Sequence, residues 1–550
     1  MPSYTAAIAG FDFEHHARAN LAGELSALNA CVECCDRHAA SGRIALHWEG
    51  RDGQRQDLRF DQLQAQAARF ANQLRALGVG PGDRVSGLLP RIPALLVTIL
   101  ATWRLGAVYQ PLFTAFGPKA IEYRLGVAGS RVIVVDAGNR AKLDEVEGCP
   151  AIVTVGAAPG SGDIDFDAAL QAQPATCEPV LRQADDPFLL MFTSGTTGLP
   201  KALEVPLRAI LAFTGYLRHA VDLRPEDRFW NLADPGWAYG LYYAVTGPLA
   251  LGCATTFYEG AFSLESTCRI VREHGITNLA GSPTAYRLLI SGGAPVAEAL
   301  RGRLRAVSSA GEALTPEVIR WFAEHLQVTV HDHYGQTELG MVLANHHALE
   351  HPVRLGSAGF AIPGHRVVVL GEGGAELPPG HPGTLALDRR QSPLMWFAGY
   401  RGRPASDSLG DYYLSGDTVE LNDDGSISFV GRADDLITTS GYRVGPFDVE
   451  SALIEHPAVV EAAVIGKPDP ERTELVKAFV VLGPGHVPSN ELAEALQQHV
   501  RRRLSAHSYP REVEFIDELP KTPSGKIQRF LLRNQEIARQ REASPSAAAH

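Results

Sequence analysis

Apolar runs of strand length alternate with helical patterns along much of this 550-residue chain. Apolar side chains recur at helical spacing over 58–77, and Gly78 ends that helix before a strand predicted over 84–89. An apolar helix over 93–105 and a strand over 132–136 repeat this order. Because parallel strands need a crossover connection, usually a helix, the alternation predicts an α/β fold of parallel sheets covered by helices.

Two stretches differ from this alternation, which continues from 228 to 344. Residues 156–186 are acidic and spaced by Pro and Gly, so we expect a surface excursion there. From 367 to 431, short strands with Gly and Pro turns predict a smaller β subdomain or barrel. Beyond it we expect a separable α+β domain, with helices and strands at 446–455, 459–465, 476–482 and 489–504.

Charge and apolar content argue against two classes of partner. The net charge is −12 with no sustained basic stripe, so nucleic acid is not an expected partner. The longest apolar run, 92–103, falls short of the roughly 20 residues that span a bilayer. The N-terminus lacks the basic and apolar regions of a secretory signal, so we expect a cytoplasmic protein without a membrane span.

Seven cysteines in a chain of this length fit a reducing compartment. Three of them, Cys31, Cys34 and Cys35, lie near His38, which raises the question of a zinc site. No second ligand pair follows at a suitable spacing. We therefore interpret these cysteines as reduced thiols on a helix.

The stretch from Phe192 to Lys201 concentrates four hydroxyl side chains, two glycines and a lysine directly after an apolar run. Exposed N–H groups, hydroxyl donors and one cation are what a polyphosphate needs. The stretch is not a Walker A loop, because Leu199 and Pro200 separate Gly198 from Lys201. A solvated turn rich in Ser, Thr and Gly remains the alternative for this stretch taken alone.

Together with seven further motifs, this loop resembles the superfamily of acyl-adenylate-forming (AMP-binding) enzymes over nearly the full chain, and most of all its medium-chain and acetyl-type acyl-CoA synthetases. Each motif alone is weak, whereas eight in this order are specific. The other seven begin at Asp234 (Asp-Pro-Gly-Trp), Ser309 (Ser-Ala-Gly-Glu), His331 (His-Asp-His-Tyr-Gly-Gln-Thr-Glu), Ser415 (Ser-Gly-Asp), Gly431 (Gly-Arg-Ala-Asp-Asp), Ser440 (Ser-Gly-Tyr-Arg) and Pro520 (Pro-Lys-Thr-Pro-Ser-Gly-Lys).

The resemblance implies a ligase that joins a carboxylate to the α-phosphate of ATP, releases pyrophosphate, and passes the acyl group to the thiol of coenzyme A. ATP, Mg²⁺ and coenzyme A are the implied cofactors. It also implies a large N-terminal AMP- and acyl-binding domain and a small mobile C-terminal domain. The expected boundaries are 1–431 for the first, 432–435 for the hinge, 436–540 for the second, and 541–550 for a disordered tail.

The nucleotide-site residues are carried over by resemblance. The β- and γ-phosphates would be held by Thr193, Ser194, Gly195, Thr196, Thr197, Gly198 and Lys201. Thr337 would donate to the α-phosphate, and Glu338 would help to hold Mg²⁺. Asp417 would accept from the ribose hydroxyls. The remaining ATP-site residues are Gly311, Glu312, Ala313, Asp332, His333, Tyr334, Gly335, Gln336, Arg432 and Arg443.

The C-terminal domain would supply the mobile part. Lys526 would contact the acyl carboxylate and the α-phosphate, and rotation about Asp434 would then withdraw it. That rotation would bring Gly441 to the pantetheine tunnel, while Arg501 would bind coenzyme A phosphates. A solvated helix face remains the alternative for the basic run that contains Arg501.

The acyl pocket is expected to be lined by Trp237, Ala238, Tyr239, Ala310 and Gly335. In acetate-specific relatives a Trp stands in the place of Gly335, so this glycine is expected to open the pocket. Tyr239 is bulkier than usual and would refill part of that space. We therefore expect a short-to-medium-chain carboxylic acid as the substrate.

Other functions remain open at this stage. An adenylating enzyme that loads a carrier-protein thiol would need no coenzyme A. A luciferase-like oxidoreductase would need a bulky aromatic acid and oxygen. A non-catalytic nucleotide-binding protein is disfavoured, because Lys526, Glu338 and Asp417 are all present. Besides its small-molecule substrates, the expected partners are a lysine acetyltransferase and deacetylase acting on Lys526, with a homo-oligomer left open.

Overall fold

Parallel strands covered by helices form the first part of the chain, which confirms the predicted α/β fold. The structure is a computed structural model that describes residues 1–156, 162–193, 200–403, 408–432, 435–439, 442–469, 473–504, 508–521 and 527–543. One sheet within this part has seven strands, and only its last pair is antiparallel. In spatial order they are Ile164–Asp165, Ala151–Val155, Ser130–Asp136, Arg84–Leu88, Val108–Pro111, Pro187–Thr193 and Lys201–Pro206.

A second, larger sheet has a parallel half and an antiparallel half. The parallel half runs through Ile44–Glu49, Thr255–Tyr258, Phe229–Asn231, Asn278–Gly281, Ala306–Ala310 and Val330–Gln336, with the antiparallel edge strand Arg55–Arg59. The antiparallel half continues through Gly340–Ala344, Ser357–Ala361, Ile427–Arg432, Tyr412–Leu421, Pro382–Asp388 and Val367–Leu370, with Ser408–Leu409 beside it.

The short strands predicted over 367–431 are therefore an extension of the large sheet rather than a separate barrel. Ser357–Ala361 makes the connection, because it pairs with Gly340–Ala344 on one side and Ile427–Arg432 on the other. The sequence could not show this, since neither partner of Ser357–Ala361 is its neighbour through a tight turn.

Helices cover both sheets, and one explains the longest apolar run. All residues of Pro93–Arg104 from Ala94 onward are buried, so this helix is apolar because it lies in the core. None of the helices in the described part of the chain is long and apolar enough to cross a membrane. The other α-helices here are Tyr4–Ala9, Phe13–Asn20, Ala30–Cys34, Phe60–Ala76, Pro118–Ala128, Phe166–Ala172, Ala209–His219, Ala238–Gly240, Gly247–Ala250, Leu264–Glu273, Pro283–Ser291, Gly293–Leu300 and Pro316–Trp321. Shorter turns of other helix types are Asp36–Ser41, Arg140–Glu145, Leu241–Thr246 and Phe322–Leu326.

The expectation of a surface excursion over 156–186 is wrong for part of that stretch. Ile164–Asp165 extends the seven-stranded sheet, and Phe166–Ala172 packs against the Phe60–Ala76 helix. The Phe166 and Phe70 ring centroids are 4.7 Å apart. The Asp165 carboxylate accepts from the Ala168 amide at 2.6 Å and so caps the helix.

The C-terminal α+β domain has a core of its own, built around Val449, Leu453, Val464, Val480 and Leu496. Its strands are Ile437–Thr439, Tyr442–Val444, Val459–Asp469, Thr473–Leu482 and Glu512–Phe515. Its helices are Pro446–Ile454, Asn490–Arg503 and Arg529–Ala543. The domain boundaries given above remain predictions.

Several histidines are buried where the first helix meets the large sheet. The rings of His331 and His347 are parallel, with centroids 3.8 Å apart, and His346 stacks on Tyr4 at 5.5 Å. Burial, together with the nearby charge of His351, lowers the pKa of His346 to about 3. The packing of this region thus depends on a neutral imidazole.

We expect His346 to make folding stability depend on acidity. In the unfolded chain His346 binds a proton below about pH 6.5, but in the folded protein only near pH 3. The contribution of the neutral His346 to the free energy of unfolding is therefore complete above pH 6.5. About 2 kcal/mol of it is lost between pH 7 and pH 5. Urea titrations should show a weaker pH dependence in His346→Gln than in wild type. His381→Gln, a change at an exposed histidine, serves as the control and should retain the wild-type slope; equal slopes in both variants would contradict the prediction.

Candidate active site

A strand pair closes the loop that follows Phe192. Pro187–Thr193 and Lys201–Pro206 are antiparallel, and Thr193 lies opposite Lys201. The hairpin thus places a hydroxyl and an ammonium group at the two ends of the loop. The loop residues Ser194, Gly195, Thr196, Thr197 and Gly198 lie outside the described residues, so their phosphate contacts remain a prediction.

Two parallel strands bring further motifs to one edge of the large sheet. Ala306–Ala310 pairs with Val330–Gln336, and Asp332 lies beside Ser309. The carboxyl ends of parallel strands meet at the same edge, where ligands of open α/β sheets bind. Gly311, Glu312 and Ala313 follow the first strand, and Thr337 and Glu338 follow the second. Gly311 has a φ of +101°, a conformation that favours glycine.

Asp332 is a buried carboxyl group with an unused oxygen. The Leu314 amide donates to Oδ2 at 3.4 Å, whereas Oδ1 has no hydrogen-bond partner among the described residues. Burial raises the pKa of Asp332 well above its usual value. The buried Ser309 hydroxyl also lacks a partner. Because unsatisfied buried polar groups are costly, the pair fits a polar ligand such as an adenine amine.

Asp417 is oriented by two side chains of Val330–Gln336, a strand that is not paired with its own strand, Tyr412–Leu421. The Tyr334 hydroxyl and the Gln336 amide both donate to its Oδ2, the latter at 3.0 Å. Burial and the Asp417 charge raise the pKa of Tyr334 well above its usual value, so its hydroxyl keeps its proton. Arg432 lies opposite Asp417 where Ile427–Arg432 pairs with Tyr412–Leu421. A fixed, largely buried carboxylate of this kind fits a pair of ribose hydroxyls.

Glu312 is held at the same edge by groups from an adjacent helix. The Thr284 hydroxyl donates to both carboxylate oxygens at 3.0 Å, and Arg287 donates to Oε2 at 3.2 Å. Both partners lie on Pro283–Ser291. This arrangement fixes the turn that Gly311 begins.

Thr337 and Glu338 each contact a tyrosine. The Tyr242 hydroxyl donates to the Thr337 carbonyl at 3.0 Å, and the Tyr400 hydroxyl donates to Glu338 Oε1 at 2.6 Å. The Lys201 ammonium lies 4.6 Å from the centroid of the Tyr400 ring. One phenol therefore contacts both the phosphate-loop lysine and the expected Mg²⁺ ligand. No motif includes Tyr400, so sequence reasoning missed it.

Three polar side chains in contact, Tyr239, Tyr216 and His333, link the expected acyl pocket to the strand Val330–Gln336. The Tyr239 and Tyr216 hydroxyl oxygens are 3.4 Å apart, and the Tyr216 hydroxyl lies 2.8 Å from His333 Nδ1. Burial lowers the pKa of His333 well below its usual value, so its neutral Nδ1 can accept a hydrogen bond from the Tyr216 hydroxyl. His333 in turn pairs with Ala310 on the next strand. Three of the predicted pocket and site residues are thus connected through Tyr216, which sequence reasoning missed.

Trp237, another residue of the expected acyl pocket, lies in an aromatic cluster with Phe113 and Phe116. Its ring centroid is 5.5 Å from those of Phe113 and Phe116. Its indole N–H is buried and has no hydrogen-bond partner in the part of the chain that the structure describes. Ala238 begins the helical turn that carries Tyr239. Phe113 and Phe116 were not among the residues predicted from the sequence.

Gly335 does not provide open space of the kind that we expected. A Cβ added there would lie 2.7 Å from Met341 Cα and 2.8 Å from the Gly340 carbonyl carbon. Gly335 sits at an irregularity in the pairing with Gly340–Ala344. The glycine therefore permits close approach of the neighbouring strand, and a large side chain there would have to displace backbone. The expectation that the missing side chain of Gly335 leaves space for the substrate is therefore wrong. That Gly335 lines the acyl pocket remains a prediction.

The C-terminal site residues are described only in part. Lys526, Asp434 and Gly441 lie outside the described residues, as does the side chain of Arg443. Arg501 is exposed and lies 5.6 Å from the ring centroid of Tyr509. Arg503, two residues on, pairs instead with Glu455 at 2.6 Å. Arg501 thus remains available to an anionic ligand.

Comparison with known proteins shows the family of the chain. A family model described as AMP-binding enzyme matches residues 34–400, and a model of the AMP-binding enzyme C-terminal domain matches residues 448–526. The chain belongs to this AMP-binding enzyme family.

Relatives of this chain within the family are acyl-CoA synthetases. Acetyl-coenzyme A synthetase of Bacillus subtilis (strain 168) is 37% identical over 93% of this chain and 91% of its own length. The mitochondrial acyl-coenzyme A synthetase ACSM4 of Mus musculus is 36% identical over 90% and 87%. The structure of Brucella canis acyl-CoA synthetase is 57% identical, covers 98% of this chain and 100% of that one, and superposes with a TM-score of 0.80.

The protein is accordingly an AMP-forming acid–thiol ligase, an acyl-CoA synthetase that uses ATP, Mg²⁺ and coenzyme A. The residues at the sheet edge fit such ligands. Asp332 and Ser309 offer unsatisfied polar atoms in a buried place. Asp417 offers an oriented carboxylate, and Lys201 offers a cation at the end of the phosphate loop.

We expect Asp417→Asn to weaken AMP binding by about tenfold or more, because the hydroxyls of the ligand lose a charged acceptor. Titration calorimetry with AMP and with its 2′- and 3′-deoxy analogues measures this. Wild type should prefer AMP over both analogues, and the variant should lose most of that preference. Asp424→Asn, in an exposed turn, is the matched control and should bind as wild type does. An unchanged preference in Asp417→Asn would place the ribose elsewhere.

Proposed function

We propose that this synthetase activates short- to medium-chain aliphatic acids, and that Tyr239 limits the length of the acyl chain. The supporting observation is that the Tyr239 ring packs against Tyr243, with centroids 5.7 Å apart, while its hydroxyl faces that of Tyr216. A ring held at both its face and its hydroxyl is a firm wall.

In the first half-reaction, the proposed task of the site is to bring two anions together. Thr193, Lys201 and the intervening loop would hold the departing phosphates, and Thr337 would donate to the α-phosphate. Glu338 would help to hold Mg²⁺, which neutralises charge on bridging phosphate oxygens. Preorganised donors at the sheet edge would then stabilise the charge that develops as the carboxylate attacks.

In the second half-reaction, the C-terminal domain would change its contacts. Lys526 would leave after adenylation, with Asp434 as the hinge. Gly441 would come to the pantetheine tunnel, and the exposed Arg501 would bind a phosphate of coenzyme A. A hinged lid of this kind lets two half-reactions share one site.

We expect Lys526→Ala to lower the rate of adenylate formation by about 10²-fold or more, because one preorganised charge contact is lost. It should spare thioester formation from supplied acyl-adenylate. Pyrophosphate release measures the first rate, and consumption of free thiol measures the second. Lys119→Ala removes a fully solvated lysine and should leave both rates unchanged. Equal losses in both half-reactions of Lys526→Ala would refute the assignment.

Acetylation of Lys526 would remove the same charge. We propose that a lysine acetyltransferase and a deacetylase act on this residue, so that the modification switches adenylation off. Full adenylation activity in protein acetylated at Lys526 would rule this out.

We expect Tyr239→Ala to shift the substrate preference toward longer acids. Each methylene in a fitted pocket is worth about 0.8 kcal/mol, or roughly fourfold in kcat/KM. In wild type the gain per methylene should stop once the chain meets the ring, and in Tyr239→Ala it should continue for further carbons. Tyr239→Phe keeps the ring and should keep the wild-type limit.

Pyrophosphate release across straight-chain acids, with and without coenzyme A, measures this preference. The same data test the carrier-protein alternative, which predicts acyl-adenylate formation without turnover of coenzyme A. If Tyr239→Ala and wild type stop at the same chain length, another group forms the end of the pocket.

We further propose a cytoplasmic location, although some relatives are mitochondrial. The cysteines of the chain are unpaired, and five of the seven are buried. Such thiols agree with a reducing compartment. A homo-oligomer remains open, and the sedimentation velocity of the purified protein would test it.

A further inference from the structure

Tyr400 contacts one cation and one anion of the expected phosphate site at the same time. Its hydroxyl donates to Glu338 Oε1 at 2.6 Å, and the Lys201 ammonium lies 4.6 Å from the centroid of its ring. The first is a hydrogen bond to a carboxylate and the second is a cation–π contact. Within the described part of the chain no ion pair joins Lys201 to Glu338, and each of the two contacts the phenol of Tyr400 instead.

The backbone around Tyr400 ties it to the phosphate-loop hairpin. Tyr400 forms a β-bridge with Leu203, and the Arg401 amide donates to the Ala202 carbonyl at 2.8 Å. The ring also packs edge to face on Phe397, with centroids 5.2 Å apart. The position of the phenol is therefore set by Lys201–Pro206 rather than by the turn that carries Glu338.

We propose that Tyr400 is a positioning residue for Mg²⁺·ATP, and this rests on the proposed roles of Lys201 and Glu338. The hydrogen bond orients the Glu338 carboxylate through Oε1 and leaves Oε2 for the metal. The ring face keeps the Lys201 ammonium on the side of the phosphate loop. As a spacer, the ring also prevents Lys201 and Glu338 from neutralising each other before ATP arrives.

These tasks can be separated by substitution. Tyr400→Phe keeps the ring, and with it the spacer and the cation–π contact, but removes the hydrogen bond to Glu338. Tyr400→Leu removes all three and allows Lys201 to pair with Glu338. The first change acts on the metal ligand alone, whereas the second acts on both charged groups.

Titration calorimetry of ATP binding, with Mg²⁺ or with EDTA, tests the proposal without relying on turnover. Tyr400→Phe should bind Mg²⁺·ATP about tenfold more weakly, since a hydrogen bond to a charged group is lost. It should bind metal-free ATP within about twofold of wild type. Tyr400→Leu should weaken both, with a loss of at least about threefold for metal-free ATP.

A double-mutant cycle shows whether Tyr400 acts through Glu338. In the Glu338→Gln background, Tyr400→Phe should cause no further loss of Mg²⁺·ATP affinity. The melting temperature and thioester formation from supplied acyl-adenylate should stay at wild-type values in Tyr400→Phe, which a merely structural role would not allow.

Two outcomes separate the failure of this proposal from that of the proposed function. If Glu338→Gln weakens Mg²⁺·ATP binding and Tyr400→Phe does not, the positioning role of Tyr400 is overturned alone. If Glu338→Gln itself leaves Mg²⁺·ATP binding unchanged, the metal role of Glu338 fails and the role of Tyr400 fails with it. The proposal is also overturned if Tyr400→Phe lowers the affinity for Mg²⁺·ATP by the same factor in the Glu338→Gln background as in wild type.

Discussion

The parallel pairing of Ala306–Ala310 with Val330–Gln336 is the interaction on which the candidate site depends. It aligns the carboxyl ends of two strands, so that the turn at Gly311 and the turn at Thr337 begin at one edge of the sheet. The next strand pairing, between Val330–Gln336 and Gly340–Ala344, brings the chain back and requires a glycine at 335. Polar groups from distant parts of the sequence thereby converge without a flexible loop to position them.

The cost of this arrangement is visible in buried groups that the protein itself does not satisfy. Asp332 Oδ1, the Ser309 hydroxyl and the Trp237 indole N–H have no hydrogen-bond partner within the described ranges of the chain. Each lowers the stability of the folded chain by an amount on the order of 1–3 kcal/mol. A ligand that forms hydrogen bonds with these groups recovers this free energy on binding. The unsatisfied groups of the folded protein therefore contribute to its affinity for the ligand. The Tyr334–Asp417 contact follows the opposite principle, because there the protein orients a carboxylate with its own donors.

Contacts between side chains connect the parts of the candidate site that we propose to act on different groups of the substrates. Tyr216 and His333 connect Tyr239, in the acyl region, to the strand that carries Asp332. Tyr400 connects the phosphate-loop hairpin to Glu338. In both cases a buried or half-buried tyrosine bridges two elements, since its ring packs while its hydroxyl makes a directed hydrogen bond. The hydrogen-bond contacts of Tyr216 thereby join the expected acyl region to the strand Val330–Gln336.

The sequence by itself determined the α/β fold, the family and the reaction class. Hydrophobic periodicity reports local burial, and ordered motifs such as Ser309–Glu312 and His331–Glu338 are specific when taken together. The roles of individual residues, Lys526 and Asp434 among them, remain predictions. Tertiary structure alone decided that the strands over 367–431 extend the large sheet, that Phe166–Ala172 packs on the core, and that Tyr400 contacts Lys201 and Glu338. Each of these depends on a contact between segments far apart in the chain, and such contacts leave no periodic signal in either segment. The same holds for Gly335, whose missing side chain is explained by the backbone of Gly340–Ala344 rather than by space for a substrate.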